Sequence, residues 1–323
     1  MIPTDVLAHA RAGFGLRRGS VRVLSTRFGK VCLAHRQLDG TRTQIRLVRL
    51  QGDTAQRLEA ETAWLNHLAA RHHLAVPVPM HWTGSGFVSP VITARDGRRW
   101  KAIACSWVRG RHINRGLRAN DFSRAGALLA QLHLANRDAP PAIAAARPEW
   151  GIPRLFALAT TLRDLMHDAT TPPASVSHPL AAALRASHAA LQEAIGDLPR
   201  SERHTGLIHT DAHWQNLRWT RHALGIVDFE DFATGRYMLD IACLWGKVEG
   251  RPGARHMLDA ILDGYDRVRS LPGDALRDVQ VMLAFRRFDY TGWVLSWPRL
   301  DMQRWGPEYL AASPAYMDRL LSR

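Results

Sequence analysis

GLIHTDAHWQNLRWTRHALGIVDFEDFATGRYMLDIACLW, residues 206 to 245, is the stretch on which the reading of this chain turns. Two apolar runs, Gly206-Leu207-Ile208 and Gly225-Ile226-Val227, each end in a polar cluster: His209-Thr210-Asp211 followed by Asn216, then Asp228-Phe229-Glu230-Asp231. Short apolar runs bounded by polar turns predict buried strands whose ends present side chains to a cleft. Two carboxylates and a carboxamide are expected in one place.

The chemistry that uses such a set is phosphoryl transfer from a nucleotide. One aspartate at a strand end orients and deprotonates the attacking hydroxyl, while an asparagine five residues on and a second aspartate after the next strand hold magnesium against the phosphates. Asp211, Asn216 and Asp228 have that spacing. Here the chain resembles the aminoglycoside phosphotransferase and choline kinase group of the protein-kinase-like fold, which also holds homoserine-kinase-like and stress-response-kinase-like members. His209-Thr210-Asp211-Ala212-His213-Trp214-Gln215-Asn216 is similar to its H-G-D-L-H-x-x-N catalytic loop, and Val227-Asp228-Phe229-Glu230 to its I-D-F/W-D/E metal motif. Asp240, in Leu239-Asp240-Ile241-Ala242, matches an aspartate that steadies the catalytic loop in the family, with His209 as a further support. Thr210 stands where the family has glycine, and Ala212 where it has leucine.

Composition sets outer limits. At 323 residues and 46% hydrophobic, the chain is long enough for one bilobal body or two domains. Cys32, Cys105 and Cys243 are scattered and show no C-x-x-C spacing, which fits a reducing cytoplasm and offers no zinc site. No apolar run approaches the roughly 18 residues of a membrane span, so a soluble cytoplasmic protein is expected. Lysine is limited to Lys30, Lys101 and Lys247, so arginine supplies 40 of the 43 basic side chains behind the net charge of +14. The charge is uneven, with 17 Lys+Arg against 6 Asp+Glu in residues 1 to 110 and 26 against 23 beyond. A basic first third attracts a polyanionic nucleotide or binds nucleic acid non-specifically; it is equally the pattern of a solvated arginine-rich face.

Working outward from the motif, residues 1 to 20 carry glycine and arginine without strong periodicity and are expected to form a lead-in segment. Strand patterns follow at Val21–Leu24, Val31–Ala34 and Thr43–Leu50. In the kinase plan the first hairpin covers the phosphates, which brings Arg27, Gly29 and Lys30 to the nucleotide. A cation on the third strand reaches the phosphates, held by a glutamate of the next helix. No lysine lies near that strand in the sequence; Ile45-Arg46-Leu47 resembles the family's L-R-hydrophobic variant, in which arginine takes the lysine's place, so Arg46 is the candidate and Arg49 the reserve. A helix over 54 to 71 places Glu61 on the apolar stripe of Leu58, Leu65 and Leu68, and a core-facing carboxylate needs a cation. Arg46 is its expected partner; Arg57, four places earlier, is the alternative.

Val76-Pro77-Val78-Pro79 is extended. A strand from Trp100 to Val108 runs into a hinge, Cys105 to Gly110, which resembles the family's W-hydrophobic-x-G, where adenine is expected to hydrogen-bond to backbone; Ser106 and Val108 are the hinge positions expected to meet the nucleotide. Helices are predicted over 121 to 136, around 180 to 195, 256 to 269, 274 to 297 and 307 to 321, with Arg137–Gly151 and Asp168–Pro179 as connectors. His133 is expected to be a structural hydrogen-bonding residue. Trp245, Glu249, Asp289 and Trp293 are positions that could line an acceptor pocket, although tryptophans at helical spacing more often serve a core.

The resemblance implies an α+β, bilobal protein-kinase-like fold: residues 1–108 as an antiparallel-sheet lobe with one helix that covers the nucleotide, and 109–323 as a mainly helical lobe with the catalytic loop, metal motif and acceptor site. It implies an ATP- and Mg2+-dependent kinase acting on a hydroxyl, with Asp211 as base, Asn216 and Asp228 as metal ligands, and Arg46 with Glu61 at the phosphates. The acceptor is a small molecule (an amino alcohol, a homoserine-like compound or an antibiotic) or, alternatively, a protein serine or threonine. A weakly catalytic nucleotide- or nucleic-acid-binding regulator is the reading from another class. A polycationic acceptor is disfavoured because even the larger lobe has little acidic surplus.

Overall fold

The computed structural model describes residues 3–27, 29–84, 86–113, 116–167, 177–296 and 300–322. The chain forms two compact units: Met1–Leu117 with Leu134–Arg147 and Trp214–Phe232, and Arg118–His133 with Pro148–His213 and Ala233–Arg323. In chain order come α1 (Thr4–Gly13), β1 (Gly19–Arg27), β2 (Lys30–Gln37), β3 (Arg42–Arg49), α2 (Thr54–His72), β4 (Ile92–Thr93) and β5 (Arg99–Ser106). Next are α3 (Ala119–Leu134), α4 (Pro141–Ala145), β6 (Glu149–Trp150), α5 (Ile152–His167), α6 (His178–Gly196) and β7 (Thr205–Ile208). The remainder is β8 (Leu217–Trp219), β9 (Leu224–Ile226), β10 (Ala233–Arg236), α7 (Met238–Trp245), α8 (Ala254–Asp266), α9 (Ala275–Ser296) and α10 (Leu300–Leu321).

The first unit is built on an antiparallel sheet of order β1-β2-β3-β5-β4. Its register pairs Cys32 with Arg46 and Arg46 with Ile103, and Lys30 with Val48. Strand side chains alternate between faces, so the sheet separates two jobs. Val31, Leu33, Ile45, Leu47, Ala102 and Ala104 turn into one core with Trp82 and Trp100, while Lys30, Cys32 and Arg46 share the other face. The register also brings Lys30 beside the third strand, although it is sixteen positions from Arg46 in sequence.

The lead-in expected over residues 1 to 20 is in fact helix α1 and the start of β1. Its apolar stripe is short, only Val6, Ala10 and Phe14, and all three are buried in the core of the sheet's outer face. Burying Val6 and Phe14 contributes about 1.5–3 kcal/mol each, enough to fix a helix whose periodicity is weak. The connector expected over 137 to 151 holds a short 3-10 turn, α4 and β6. Most of the other connector (168–176), Trp297 at the end of the predicted 274–297 helix, and Phe28 in the first hairpin lie outside the described residues.

The second unit joins a small sheet, β6-β10-β7, to helices. β10 runs antiparallel to β7 and parallel to β6. Every residue of α7 is buried, as expected of a helix apolar all round but for Asp240, whose buried carboxylate must find hydrogen-bond donors. Arg236 anchors β10 to α9 by a two-pronged pair with Asp278, Nε to Oδ1 at 2.7 Å and Nη2 to Oδ2 at 2.6 Å. α10 starts at Leu300 rather than near Pro307, and carries Pro307 and Pro314 inside it. Its packing on α9 and α6 offsets the roughly 3 kcal/mol that an interior proline costs a helix. Among the described residues no helix is long and apolar enough to cross a membrane.

Candidate active site

In the first unit, the polar face of the sheet, the hinge and the β8–β9 hairpin line a pocket of about 440 Å³. Lys30 and Cys32 come from β2, Ser106 and Val108 from the hinge, and Asn216 and Asp228 from the ends of the hairpin. The hairpin is short: Val227 donates its backbone N–H to the Asn216 carbonyl at 3.0 Å, so the two metal-type ligands flank one pair of strands. Asn216 is 7% exposed, whereas Asp228 is exposed, with φ +73°. Aspartate is among the few side chains that tolerate that left-handed conformation.

Hinge geometry follows from close backbone packing. Gly110 has φ +119°, and a Cβ there would meet the Trp219 carbonyl oxygen at 2.8 Å; Arg111 and Trp219 exchange backbone hydrogen bonds at 3.0 and 2.8 Å. Ser106 donates its amide to the Val78 carbonyl at 2.8 Å. Val108 differs, because among the described residues no protein group takes its amide or carbonyl. Of the two hinge positions, Val108 has the backbone available to a flat heterocycle.

Beneath this pocket a smaller recess shares Gln44, Pro77 and Asp228 with it and adds Arg46 and Glu61. Arg46 Nη2 pairs with Glu61 Oε2, and Arg46 Nη1 lies 3.3 Å from Glu230 Oε2. Glu230 is bonded in turn by Lys30 Nζ at 2.9 Å. Glu61 therefore takes Arg46, and Arg57 instead lies 4.0 Å from Asp231. Arg49, the reserve candidate, is exposed and donates its backbone amide to the Gly29 carbonyl at 2.9 Å. Gly29 itself, at φ +71°, shapes the turn without lining the pocket, which Leu24, Ser25 and Lys30 line in that region. Burial acts against the Glu230 carboxylate, but Arg46 and Lys30 outweigh it and hold the group below its usual range.

Two further side chains escaped the sequence reading. Arg218 lines the main pocket; burial lowers its pKa and Asp228 opposes that shift. Arg147, 7% exposed, donates Nε to the Phe232 carbonyl at 2.6 Å and Nη2 to the Glu230 carbonyl at 2.7 Å, and stacks 4.1 Å from the Phe232 ring. It ties down the segment after Asp228. A lone arginine inside Ala-Ala-Ala-Arg-Pro was the signal available, since burial obliges such a group to find acceptors.

In the second unit, Asp240 organises the backbone before Asp211. Its Oδ2 accepts the His209 amide and its Oδ1 the Thr210 amide, each at 2.8 Å. It also accepts from His133 Nε2 at 3.0 Å, and His133 Nδ1 lies 2.9 Å from the Tyr265 hydroxyl. An ionised carboxylate only accepts, so His133 carries its proton on Nε2 and takes the Tyr265 hydroxyl's hydrogen on Nδ1. Burial drives the His133 pKa down and keeps the ring neutral. Thr210 sits at φ +67° and is fully buried. This left-handed position is held by the Asp240 bond and by Cys243 Sγ donating to the Thr210 carbonyl at 3.1 Å.

Asp211 opens onto a separate pocket of about 150 Å³ in the second unit, with α7, α9 and α10 around it. Its Oδ1 accepts from Arg286 Nη2 at 2.7 Å, and His213 Nε2 lies 3.3 Å from its Oδ2. Burial would raise its pKa; the His213 hydrogen bond and the Arg286 guanidinium win and bring it to about 2. None of Trp245, Glu249, Asp289 and Trp293 lines this pocket. Trp245 donates Nε1 to the Ala254 carbonyl at 2.9 Å, Trp293 packs against the cluster of Val294 and Leu310, and Glu249 accepts from Tyr316 and Arg319 at 3.1 Å each. Asp289 stands one step back, held by Arg286 at 3.0 Å and Arg154 at 2.9 Å.

A model of the phosphotransferase enzyme family matches residues 35–277. Curated protein sequences give no match. Among solved structures, an amicoumacin kinase in complex with AMP-PNP, Ca2+ and Ami aligns with TM-score 0.77 and 16% identity, covering 97% of this chain and 93% of that one. A microcompartment-associated aminopropanol kinase aligns with TM-score 0.70 and 20% identity, covering 98% of each. A choline/ethanolamine kinase family protein from Mesorhizobium loti gives 0.65 and 17%, covering 99% and 98%. At these identities the likeness is one of fold: α+β and kinase-like, an antiparallel sheet first and helices after.

Proposed function

The chain belongs to the phosphotransferase enzyme family, and on that premise we propose that it transfers the γ-phosphoryl group of ATP to the hydroxyl of a small molecule, using Mg2+. One observation carries this reading: Asn216 and Asp228 face the same pocket as Lys30, with Arg46 and Glu61 in the recess that opens on Asp228. Mg2+ takes oxygen ligands, typically one or two carboxylates together with substrate phosphates. The Asp228 carboxylate and the Asn216 amide oxygen fit that preference. Bound there, the ion would neutralise charge on the β- and γ-phosphates.

The protein's own groups account for the rest. Lys30, Arg218 and Arg46 supply positive charge for the phosphates, Glu61 and Glu230 hold Arg46 in place, and the Val108 backbone meets the base. Asp211 aims the acceptor hydroxyl and takes its proton as the oxygen bonds to the γ-phosphorus and the bond to the bridging oxygen of ADP breaks. A pKa of about 2 makes Asp211 a weak base. That suits a loose transition state, in which orientation matters more than early deprotonation. Asp240 acts at one remove, by fixing the backbone on which Asp211 stands.

Residues 1–108 would serve as the nucleotide-covering part and 109–323 as the part with metal ligands, base and acceptor site. A pocket of about 150 Å³ beside Asp211 is smaller than the roughly 300–1,000 Å³ of drug-sized sites, which favours a compact metabolite over a polypeptide. A reducing, cytoplasmic setting suits the three free thiols. The test is Asp211→Ala assayed for phosphate transfer across a metabolite panel alongside nucleotide binding. Transfer is expected to vanish with nucleotide affinity retained; undiminished transfer would remove Asp211 from the role.

A further inference from the structure

The pocket beside Asp211 has more positive than negative charge, and we infer that its acceptor is a small alcohol bearing an anionic group, a carboxylate, rather than an amine. The hydroxyl rests on the kinase reading above, whereas the charge assignment rests on the pocket alone. Among the described residues Lys247, Arg286 and Arg287 line it against one carboxylate, Asp211. Arg286 is shared between Asp211 and Asp289, at 2.7 and 3.0 Å, so these three groups balance to a single negative charge that Arg154 also faces. Lys247 and Arg287 remain. Among the described residues neither has a carboxylate partner.

Arg287 is nonetheless held firmly. Its Nε donates to Ser313 Oγ and its Nη2 to the Tyr309 carbonyl, both at 2.8 Å. Its guanidinium carbon lies 3.4 Å from the Tyr309 ring centre and 4.9 Å from that of Tyr316. This leaves Nη1 and an unneutralised charge. Neutral partners that fix a cation without cancelling it make a preorganised anion site.

An ammonium group would find little here. It would meet three like charges, and among the described residues the only lining carboxylate already has Arg286 and His213 upon it. Aromatic faces, the other usual host for ammonium ions, are taken as well: Arg287 covers Tyr309, while Arg286 and Lys247 lie 5.8 and 6.0 Å from the centre of Tyr290. A carboxylate reaching Lys247 and Arg287, by contrast, gains charge-assisted bonds. The small volume keeps the anion and the reacting hydroxyl on one short skeleton.

The test uses the full chain and matched probes: hydroxy acids from glycolate through glycerate to gluconate, each beside its amide and its amino-alcohol counterpart. Binding is measured by calorimetry, phosphorylation by ADP release with ATP and Mg2+. At least one acid is expected to bind tenfold or more tighter than its amide, and the amino alcohols weakest. Lys247→Met, at an exposed position, should reduce that preference about tenfold, and Lys247→Glu should reverse it, with nucleotide affinity unchanged in both. If no acid in the series binds above its amide, or if amino alcohols are preferred, the inference falls. Acids that bind selectively while no nucleotide is consumed would instead refute the kinase reading and leave the charge assignment standing. Transfer to amines in preference to acids would do the opposite.

Discussion

Arg46 and Glu61 are 6% and 4% exposed, and their pairing offers a way to separate folding from function. Glu61→Leu leaves a buried guanidinium whose remaining counter-charge, Glu230, lies at 3.3 Å and is itself 26% exposed and shared with Lys30. Breaking a buried pair costs about 3–5 kcal/mol when nothing replaces the lost partner. Glu230 recovers part of this, so about 2–4 kcal/mol is expected for the single change. Arg46→Met combined with Glu61→Leu removes both charges from a site whose neighbours include Leu65 and Ile103. Its stability should lie within about 1 kcal/mol of the parent, as paired apolar replacements usually do. The four proteins of the cycle are compared by urea denaturation at pH 7, and the folded ones by titration with a fluorescent ATP analogue. The double variant should be restored in stability yet bind nucleotide about tenfold more weakly, the loss of one charge-assisted contact. A double variant as unstable as Glu61→Leu would contradict the buried-charge argument; one with unchanged nucleotide affinity would take Arg46 away from the phosphates.

Arg286→Gln removes the cation that opposes the effect of burial on Asp211, so the Asp211 pKa should climb from about 2 by roughly 2 units, seen in the side-chain carboxyl 13C shift on titration from pH 6 to 3; no upward movement would count against the contact. His133 has a depressed pKa in the folded chain, so below about pH 6.5 the unfolded chain binds the extra proton; stability rises with pH up to about that value and levels above it, and is lost as the solution is acidified. His133→Gln should remove up to one proton from that slope, measured by denaturation between pH 5 and 8, while His35 and His188, also lowered by burial, keep theirs. A Cβ on Gly225 would meet the Ala75 carbonyl oxygen at 2.5 Å and Val108 Cγ1 at 2.8 Å. Gly225→Ala should therefore cost about 1–3 kcal/mol and weaken nucleotide binding, whereas full stability in a melt would show that the hairpin gives way freely.

The parts legible in the sequence were those in which chemistry and local pattern coincide. Asp211, Asn216 and Asp228 stand at the ends of short apolar runs, and Glu61 sits on a helical stripe where a carboxylate has no business without a cation. Arg46 followed from a strand that lacks lysine and from the resemblance of Ile45-Arg46-Leu47 to a variant in which arginine takes the lysine's place. What stayed hidden depends on register and on contacts distant in sequence. Lys30 was expected at the nucleotide from the first hairpin, but its place beside the third strand follows only from the pairing of β2 with β3. Arg286, 75 residues beyond Asp211, looks like any other arginine in a chain rich in them. Glu230 was read as part of a motif, but its role as the common partner of Lys30 and Arg46 is set by tertiary packing. The helix α1 buries only Val6 and Ala10 as apolar side chains within its own span, with Phe14 just past its end, too little for periodicity to announce.

The first unit is assembled from three separate stretches of chain, and its last stretch ends at Phe232. Ile226, on that stretch, donates its amide to the Ala75 carbonyl at 3.0 Å, so the hinge side of the sheet stays unsealed until the hairpin arrives. During synthesis at about 5–20 residues per second, the sheet's own strands leave the ribosome several seconds before the segment that completes them. The order of manufacture is thus out of step with the order of packing, and no single cut of the polypeptide would liberate the first unit in finished form.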